Sequence, residues 1–330
     1  MLARDHVMLY YIIGDQMSRL LTTVSAITVI AGTYVNADVP KVIADIAPIH
    51  SLVSRVMDGV GVPKLIVPNE TSPHDYRLRP ADAQAIEDAN LVFWMGEGLT
   101  PWMERALEAL NSDTDIVEFL ALEESTRLSF REGALFEAHG DHDDHDDHDD
   151  HDDHAGHDHG EFDPHAWLST SNAKTWVNVI AAKLSSIDPN NAGTYFANAS
   201  EARNEMDALD DEINAMLAPV RGGKFIVFHD AYQYFESVYD FPASGAISLG
   251  DASDPSAARI AEIADRIKRE NIDCVLSEPQ FNAGLVKTVM GGTDANTQVI
   301  DPLGFGIEPG SSLYPKLIRA MAQSLVDCLK

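Results

Sequence analysis

The chain has 330 residues, and an apolar content of 45% is enough for a sizeable core, which disfavours global disorder. Asp and Glu total 53 against 23 Lys and Arg, so the formal net charge is −30. This charge disfavours binding to nucleic acids or anionic membrane surfaces, because both require a basic face. Only Cys274 and Cys328 are present, which excludes a zinc site made of four cysteines.

The first 37 residues have the features of a secretory signal peptide. A basic residue, Arg19, precedes an apolar run over residues 20–31, and Val35 and Ala37 then place small residues at the offsets of a cleavage site. A first core helix or a membrane anchor is the alternative, but the run is shorter than the ~20 residues of a spanning helix. We therefore predict cleavage after Ala37 and export to the periplasm.

Short apolar segments alternate with amphipathic segments through the first half of the mature chain. The predicted strands cover residues 42–45, 65–67, 91–95 and 116–120, and the predicted helices cover residues 50–57, 80–89 and 101–110. This alternation is typical of a parallel sheet with helices on both faces. It predicts an N-terminal α/β lobe over residues 38–189.

The same alternation begins again after residue 220. The predicted strands cover residues 225–228, 246–249, 274–276 and 298–300. One predicted helix ends at Tyr239, and three others cover residues 256–270, 285–290 and 313–329. We predict a second α/β lobe over residues 220–330. Residues 190–219 connect the two lobes, and within them positions 194–218 contain no proline or glycine. This composition predicts one long, rigid linking helix of about 40 Å.

Four candidate metal ligands lie where predicted strands end or helices begin. His74 follows the second strand, His165 precedes a helix near residue 170, His229 follows the strand 225–228, and Asp301 follows the strand 298–300. Ligands of open parallel sheets bind beyond the carboxyl ends of the strands. Three imidazoles and one carboxylate suit Zn²⁺, whereas Mn²⁺ prefers more carboxylates. Taken alone, a histidine after a strand is more often a cap or a packing residue, and Asp301 before a proline could simply begin a turn, but their joint occurrence favours a site.

A second cluster of histidines lies within residues 139–159, where Asp-Asp-His repeats with a period of three. Residues 141–158 contain ten of the acidic residues, so the rest of the chain has a charge near −20. We predict a mobile, solvated loop that collects zinc with low affinity. The alternative is a charged linker that only aids solubility. The auxiliary candidate ligands are His139, His142, His145, His148, His151, His154, His157 and His159.

Five short motifs carry a family resemblance. Residues 71–80, 163–168 and 228–235, each of which contains one of the candidate histidines, are similar to the metal-ligand motifs of periplasmic zinc-binding proteins that serve ABC importers. Residues 277–281 and 301–304 resemble two further signatures of these cluster A-I binding proteins. The motifs occur in the same order and span nearly the whole mature chain.

The resemblance implies a fold, a ligand set and partners. It implies two α/β lobes joined by a rigid helix, Zn²⁺ as the bound ion, a membrane permease as the partner and a monomeric protein. By resemblance His74, His165 and His229 are the zinc ligands. Some zinc-binding members use a Glu just before the first histidine, but Pro73 occupies that position here, so Asp301 or a water must complete the shell.

Other interpretations remain open from the sequence alone. Three histidines and a water could form a zinc hydrolase with Glu278 as the base, although no HExxH motif or nucleophile motif is present. A binding protein for manganese or another divalent ion is a further alternative, as is a storage or adhesion protein built on the histidine-rich segment. In an exported protein we expect Cys274 and Cys328 to form one disulfide, with two buried free thiols as the alternative. The leading prediction is a non-enzymatic zinc-binding protein.

Overall fold

The computed structural model describes residues 39–109, 114–131, 133, 136, 161–248, 250, 255–281 and 283–330. The predicted signal peptide and the histidine-rich segment 139–159 lie outside the described residues, so the predictions made for them stay predictions. Among the helices that the structure describes, none is both long and apolar enough to cross a membrane.

The described residues form two four-stranded parallel sheets. The strands are β1 (Val42–Ala44), β2 (Lys64–Leu65), β3 (Leu91–Trp94), β4 (Asp115–Glu118), β5 (Phe225–His229), β6 (Ala246–Ser248), β7 (Cys274–Ser277) and β8 (Asn296–Val299). The strand order is β2-β1-β3-β4 in the first sheet and β6-β5-β7-β8 in the second, so the two sheets share one topology. The predicted class, two α/β lobes with parallel sheets, is confirmed.

Helices connect and cover the strands. They are α1 (Ala47–Val56), α2 (Pro80–Glu87), α3 (Pro101–Glu108), α4 (Thr170–Ile187), α5 (Ala192–Leu217), α6 (Gln233–Tyr239), α7 (Ala257–Glu270), α8 (Ala283–Val289) and α9 (Leu313–Leu329). The central strands β1, β3 and β5 are buried along their whole length, as expected for strands covered by helices on both faces. Strand β8 lies at the edge of its sheet and is mostly exposed.

The long helix α5 packs against both lobes. It contacts α1 and α4 of the first lobe and α9 of the second. Its buried residues recur every three or four positions, which gives it one continuous apolar face. They are Tyr195, Ala199, Ala202, Met206, Leu209, Ile213 and Leu217. The 26-residue helix is about 39 Å long at 1.5 Å per residue, close to the predicted length.

Several predicted boundaries differ from those of the structure, and the differences at α1 and β2 have clear causes. Helix α1 begins at Ala47 rather than at residue 50, because Pro48 lies in the first helical turn, where its missing N–H costs nothing. Strand β2 covers Lys64–Leu65 instead of residues 65–67. The next two N–H groups still donate to the first strand region, that of Ile66 to the carbonyl of Ala44 and that of Val67 to the carbonyl of Asp45. Neither difference moves a candidate ligand.

Loops beyond the carboxyl ends of the two sheets touch each other. The indole of Trp167 donates to the carbonyl of Pro302 at 2.8 Å, and the amide of Asn69 donates to Ile307 at 2.9 Å and to Gly304. These bonds join the loop after β2 and the segment before α4 to the loop after β8. On the far side of the second lobe, Cys274 and Cys328 are linked by a disulfide between β7 and α9.

Candidate metal site

His229 is the last residue of β5, and its ring lies at the carboxyl end of the second sheet. The residue is 3% exposed. Its Nδ1 lies 2.7 Å from Oε1 of Glu278, which follows the neighbouring strand β7 and is itself buried. A carboxylate at this distance accepts the Nδ1 proton, so the imidazole presents its Nε2 lone pair to the site.

His165 is held in the same way from the first lobe. It precedes a short 3₁₀ turn, Ala166–Leu168, and is 7% exposed. Its Nδ1 lies 2.6 Å from Oδ1 of Asp163, and that same oxygen accepts the His165 backbone N–H at 2.9 Å. Asp163 is 1% exposed, and its other oxygen accepts from Gln233 of the second lobe at 2.5 Å. The second ring thus also presents Nε2.

The two Nε2 atoms face each other across the lobe interface. They lie 3.4 Å apart, and the ring centroids of His165 and His229 are separated by 5.2 Å. Two lone pairs at this distance repel unless a cation or a proton lies between them. Two imidazole nitrogens bound to a tetrahedral Zn²⁺ at about 2.0–2.1 Å would be roughly 3.3–3.4 Å apart. The observed spacing therefore fits a shared zinc ion.

His74 completes the histidine cluster. It lies in the loop between β2 and α2, and its ring centroid is 5.9 Å from that of His165. All three histidines line one small pocket together with Glu278 and Phe281. As placed, no three His, Cys, Asp or Glu side chains of the described residues together meet metal-binding distances. Simultaneous binding by all three rings therefore requires at least one ring to move inward.

Asp301 lies just beyond β8, and its carboxylate bonds to neighbouring groups. Oδ1 accepts from the Gln280 side chain at 2.9 Å and from the backbone of Leu303 at 3.1 Å, and Oδ2 accepts from the backbone of Phe305. Gln280 and Leu303 line the histidine pocket, so Asp301 is next to it. To serve as the fourth ligand, its carboxylate would have to exchange some of these bonds for the ion. Its role stays a prediction.

Buried acidic groups surround the histidines from the second lobe. Asp230 follows His229 directly, and burial raises its pKa from 3.8 to about 7, although the nearby Arg131 opposes this shift. Burial also raises the pKa of the neighbouring Tyr232 hydroxyl well above 10. The walls of the site are thus poorly solvated, and charges in it are only weakly screened.

Sequence reasoning placed the three histidines together, but it assigned no role to Asp163 and did not predict that Glu278 orients His229. Asp163 has a local signal, because a residue two positions before the histidine can reach both its backbone and its ring. For Glu278 the signal is the sheet topology, because residues at the ends of paired parallel strands lie side by side. Arg131 and Gln233 had no signal of either kind.

Comparison with known proteins finds a family model and curated relatives that match most of the chain. The family model described as "Zinc-uptake complex component A periplasmic" matches residues 42–328. The chain is 45% identical over 304 residues to the high-affinity zinc uptake system protein ZnuA of Brucella abortus (strain 2308), covering 87% of this chain and 91% of that protein. The ZnuA of Paracoccus denitrificans is 41% identical, with 89% and 93% covered.

Solved structures share the fold at lower identity. A crystal structure of ZnuA has a TM-score of 0.70 and 23% identity, covering 89% of this chain and 100% of that one. A zinc-bound deletion mutant of ZnuA has a TM-score of 0.70 and 24% identity, covering 89% and 99%. The binding protein FpvC of Pseudomonas aeruginosa with Mn²⁺ has a TM-score of 0.71 and 20% identity, covering 88% and 98%. These likenesses show the fold alone.

Proposed function

The chain belongs to the periplasmic component A family of zinc-uptake complexes, and from this premise we propose that it captures Zn²⁺ between its lobes and delivers the ion to an ABC permease. Zinc is then the cargo of the protein and not a resident cofactor. The predicted leader and the family both agree with a periplasmic location.

One observation carries this proposal: the 3.4 Å separation of the Nε2 atoms of His165 and His229. Each ring has its Nδ1 against a buried carboxylate, which fixes the tautomer that binds a metal and makes the imidazole a stronger donor. His74 is the proposed third ligand, because its ring lies in the same pocket. Asp301 or a water is the proposed fourth.

The donor set favours zinc over manganese. Three imidazoles form a borderline-soft set that suits Zn²⁺, while Mn²⁺ favours carboxylates and carbonyls. The curated relatives from Brucella abortus and Paracoccus denitrificans, at 45% and 41% identity, are named as zinc uptake proteins, whereas the Mn²⁺-bound neighbour is only 20% identical. We therefore propose Zn²⁺ as the physiological cargo.

The contacts of Glu278 disfavour a zinc hydrolase. The Glu278 carboxylate accepts from His229 Nδ1 at 2.7 Å, so its Oε1 is already engaged in orienting a proposed ligand. We infer that the protein is a binding component and not an enzyme.

Metal titration tests the proposed function. The purified mature chain should take up one Zn²⁺ per molecule tightly in competition with a chromophoric chelator, and Mn²⁺ should not displace it. A strain that lacks the protein should grow poorly with a zinc chelator and recover when the chain is supplied. A chain that loses zinc to a weak chelator, or that holds Mn²⁺ more tightly, would contradict the proposal.

Removal of residues 139–159 separates the two histidine clusters. We expect the deletion to abolish weak binding of further zinc ions and to leave the single tight site unchanged, since the proposed ligands lie outside this segment. A relative's structure, a deletion mutant of ZnuA, is described as zinc-bound. Isothermal titration of both proteins provides the measurement, and loss of the tight site in the deletion variant would overturn the expectation.

A further inference from the structure

Arg131 lies six residues after Ser125 in the first lobe and bonds to the second lobe. Its Nη1 and Nη2 donate to the two carboxylate oxygens of Glu236 at 3.0 and 2.9 Å, which is a bidentate ion pair between the lobes. Nη2 also lies 2.9 Å from Oδ1 of Asp230. The flat face of the guanidinium is 3.7 Å from the centroid of the Phe136 ring. The side chain is only 20% exposed, so these interactions are partly shielded from water.

The two carboxylates that Arg131 holds belong to the wall that carries His229. Asp230 is the next residue after His229, and Glu236 lies on α6, which follows directly. Glu236 is itself fixed, because its Oε2 also accepts the backbone N–H of Ala243 at 3.0 Å. The position of Arg131 is therefore defined relative to the end of β5.

The peptide just before Arg131 is bonded to the residue that orients His165. Leu128 accepts the backbone N–H of Asp163 at 2.8 Å, and its own N–H donates to the Tyr234 hydroxyl at 2.9 Å. The Gln233 side chain donates to the carbonyl of Ser129 at 3.1 Å and to the carboxylate of Asp163 at 2.5 Å. Displacement of residues 128–131 would therefore displace Asp163, the Nδ1 partner of His165.

We propose that Arg131 is a positioning residue for the zinc site. Its guanidinium fork sets the distance between the peptide that carries Asp163 and His165 and the strand end that carries His229. The inference rests on the proposed function, and it adds a residue that contacts neither histidine. The geometry explains why an arginine is needed: only a planar fork can bond both oxygens of Glu236 and still reach Asp230.

Arg131→Lys is the sharpest test, because it keeps the positive charge and removes the fork. A loss of charge alone would alter zinc binding through long-range attraction, but this variant leaves that attraction unchanged. We expect the zinc dissociation constant to rise about tenfold or more, the range seen when outer-shell partners of metal ligands are lost. The expected cause is a faster dissociation rate. The absorption spectrum of the Co²⁺-loaded protein should also change, since it reports ligand geometry directly.

Arg319→Lys is the matched control. Arg319 forms a bidentate pair with Glu212 at 2.8–2.9 Å between α9 and α5, on the surface and outside the histidine pocket. We expect wild-type zinc affinity and a wild-type Co²⁺ spectrum for this variant. Glu236→Gln gives a second approach to the same fork, from the acceptor side, if Arg131→Lys does not fold.

The outcomes separate the possible failures. If Arg131→Lys melts at a lower temperature but keeps the wild-type zinc affinity and Co²⁺ spectrum, Arg131 is only structural and the proposal is overturned. The same holds if Glu236→Gln, used in its place, leaves both unchanged. If the wild-type protein fails to bind zinc tightly, the proposed function itself fails, and the role of Arg131 fails with it.

Discussion

The two lobes place different chemistry at the same edge of the same fold. In the first sheet, Asp45 follows β1, and its carboxylate accepts the backbone N–H of Met95, just after β3, at 2.8 Å. In the second sheet, His229 ends β5, and its ring bonds to Glu278, just after β7, at 2.7 Å. Both bonds join the ends of the first and third strands of a lobe, yet only the second orients a candidate ligand.

Strand register places both of these bonds at the carboxyl edges of their sheets. Ala44 pairs with Phe93 in the first sheet, and Ile226 pairs with Val275 in the second. When each parallel register is extended beyond the strands, the first and third strand ends of each lobe come side by side at the carboxyl edge. This edge is where open α/β sheets bind ligands. The fold therefore supplies the location, and the residue type decides between a structural bond and a proposed metal ligand.

His229→Ala should have the largest effect on zinc binding. The change removes one of the two nitrogens that lie 3.4 Å apart, and leaves Glu278 buried without its imidazole partner. We expect the zinc dissociation constant to rise by at least about a thousandfold, roughly 4 kcal/mol at 1.4 kcal/mol per factor of ten. Chelator competition provides the measurement. An unchanged dissociation constant would remove His229 from the site.

Glu278→Gln should have an intermediate effect. The amide keeps the size of the side chain but not the charge that makes the His229 imidazole a better donor, and such outer-shell changes lower metal affinity by about 10–100-fold. The same competition assay gives the result. An affinity equal to that of the wild type would show that the bond between Glu278 and His229 is only structural, as the bond of Asp45 is, and would erase the contrast between the lobes.

The sequence predicted the fold class and the convergence of the three histidines because both depend on local patterns. Alternating apolar and amphipathic segments define parallel sheets, and a histidine after a strand lies at the carboxyl edge. The start of α1 differs from the prediction because Pro48 lies inside the first helical turn and does not precede the helix. The roles of Glu278 and Arg131 depend on pairing over more than 45 residues, between β5 and β7 and between the lobes. No local pattern contains that information.

Asp45→Asn should have the smallest effect on zinc and a distinct effect on stability. Burial raises the pKa of Asp45 from 3.8 to about 7, outweighing its backbone hydrogen bonds from Ile46 and Met95. The folded state therefore holds a proton that the unfolded state releases. The stability from this group is fully present below about pH 3.8, declines as the pH rises, and is lost above about pH 7.

Asparagine does not titrate, so the variant lacks this decline. Between pH 5 and pH 8 the unfolding free energy of the metal-free wild type should fall relative to that of Asp45→Asn, by up to a few kcal/mol at about 1.4 kcal/mol per pKa unit. The amide also presents a donor where the carboxylate accepts an N–H, which adds a constant cost, so the informative quantity is the dependence on pH. Urea unfolding at several pH values measures it. If the unfolding free energies of the two proteins change in parallel with pH, the shifted pKa of Asp45 is contradicted. If Asp45→Asn loses as much zinc affinity as Glu278→Gln, both lobes, and not one, use this strand-end position to hold the ion.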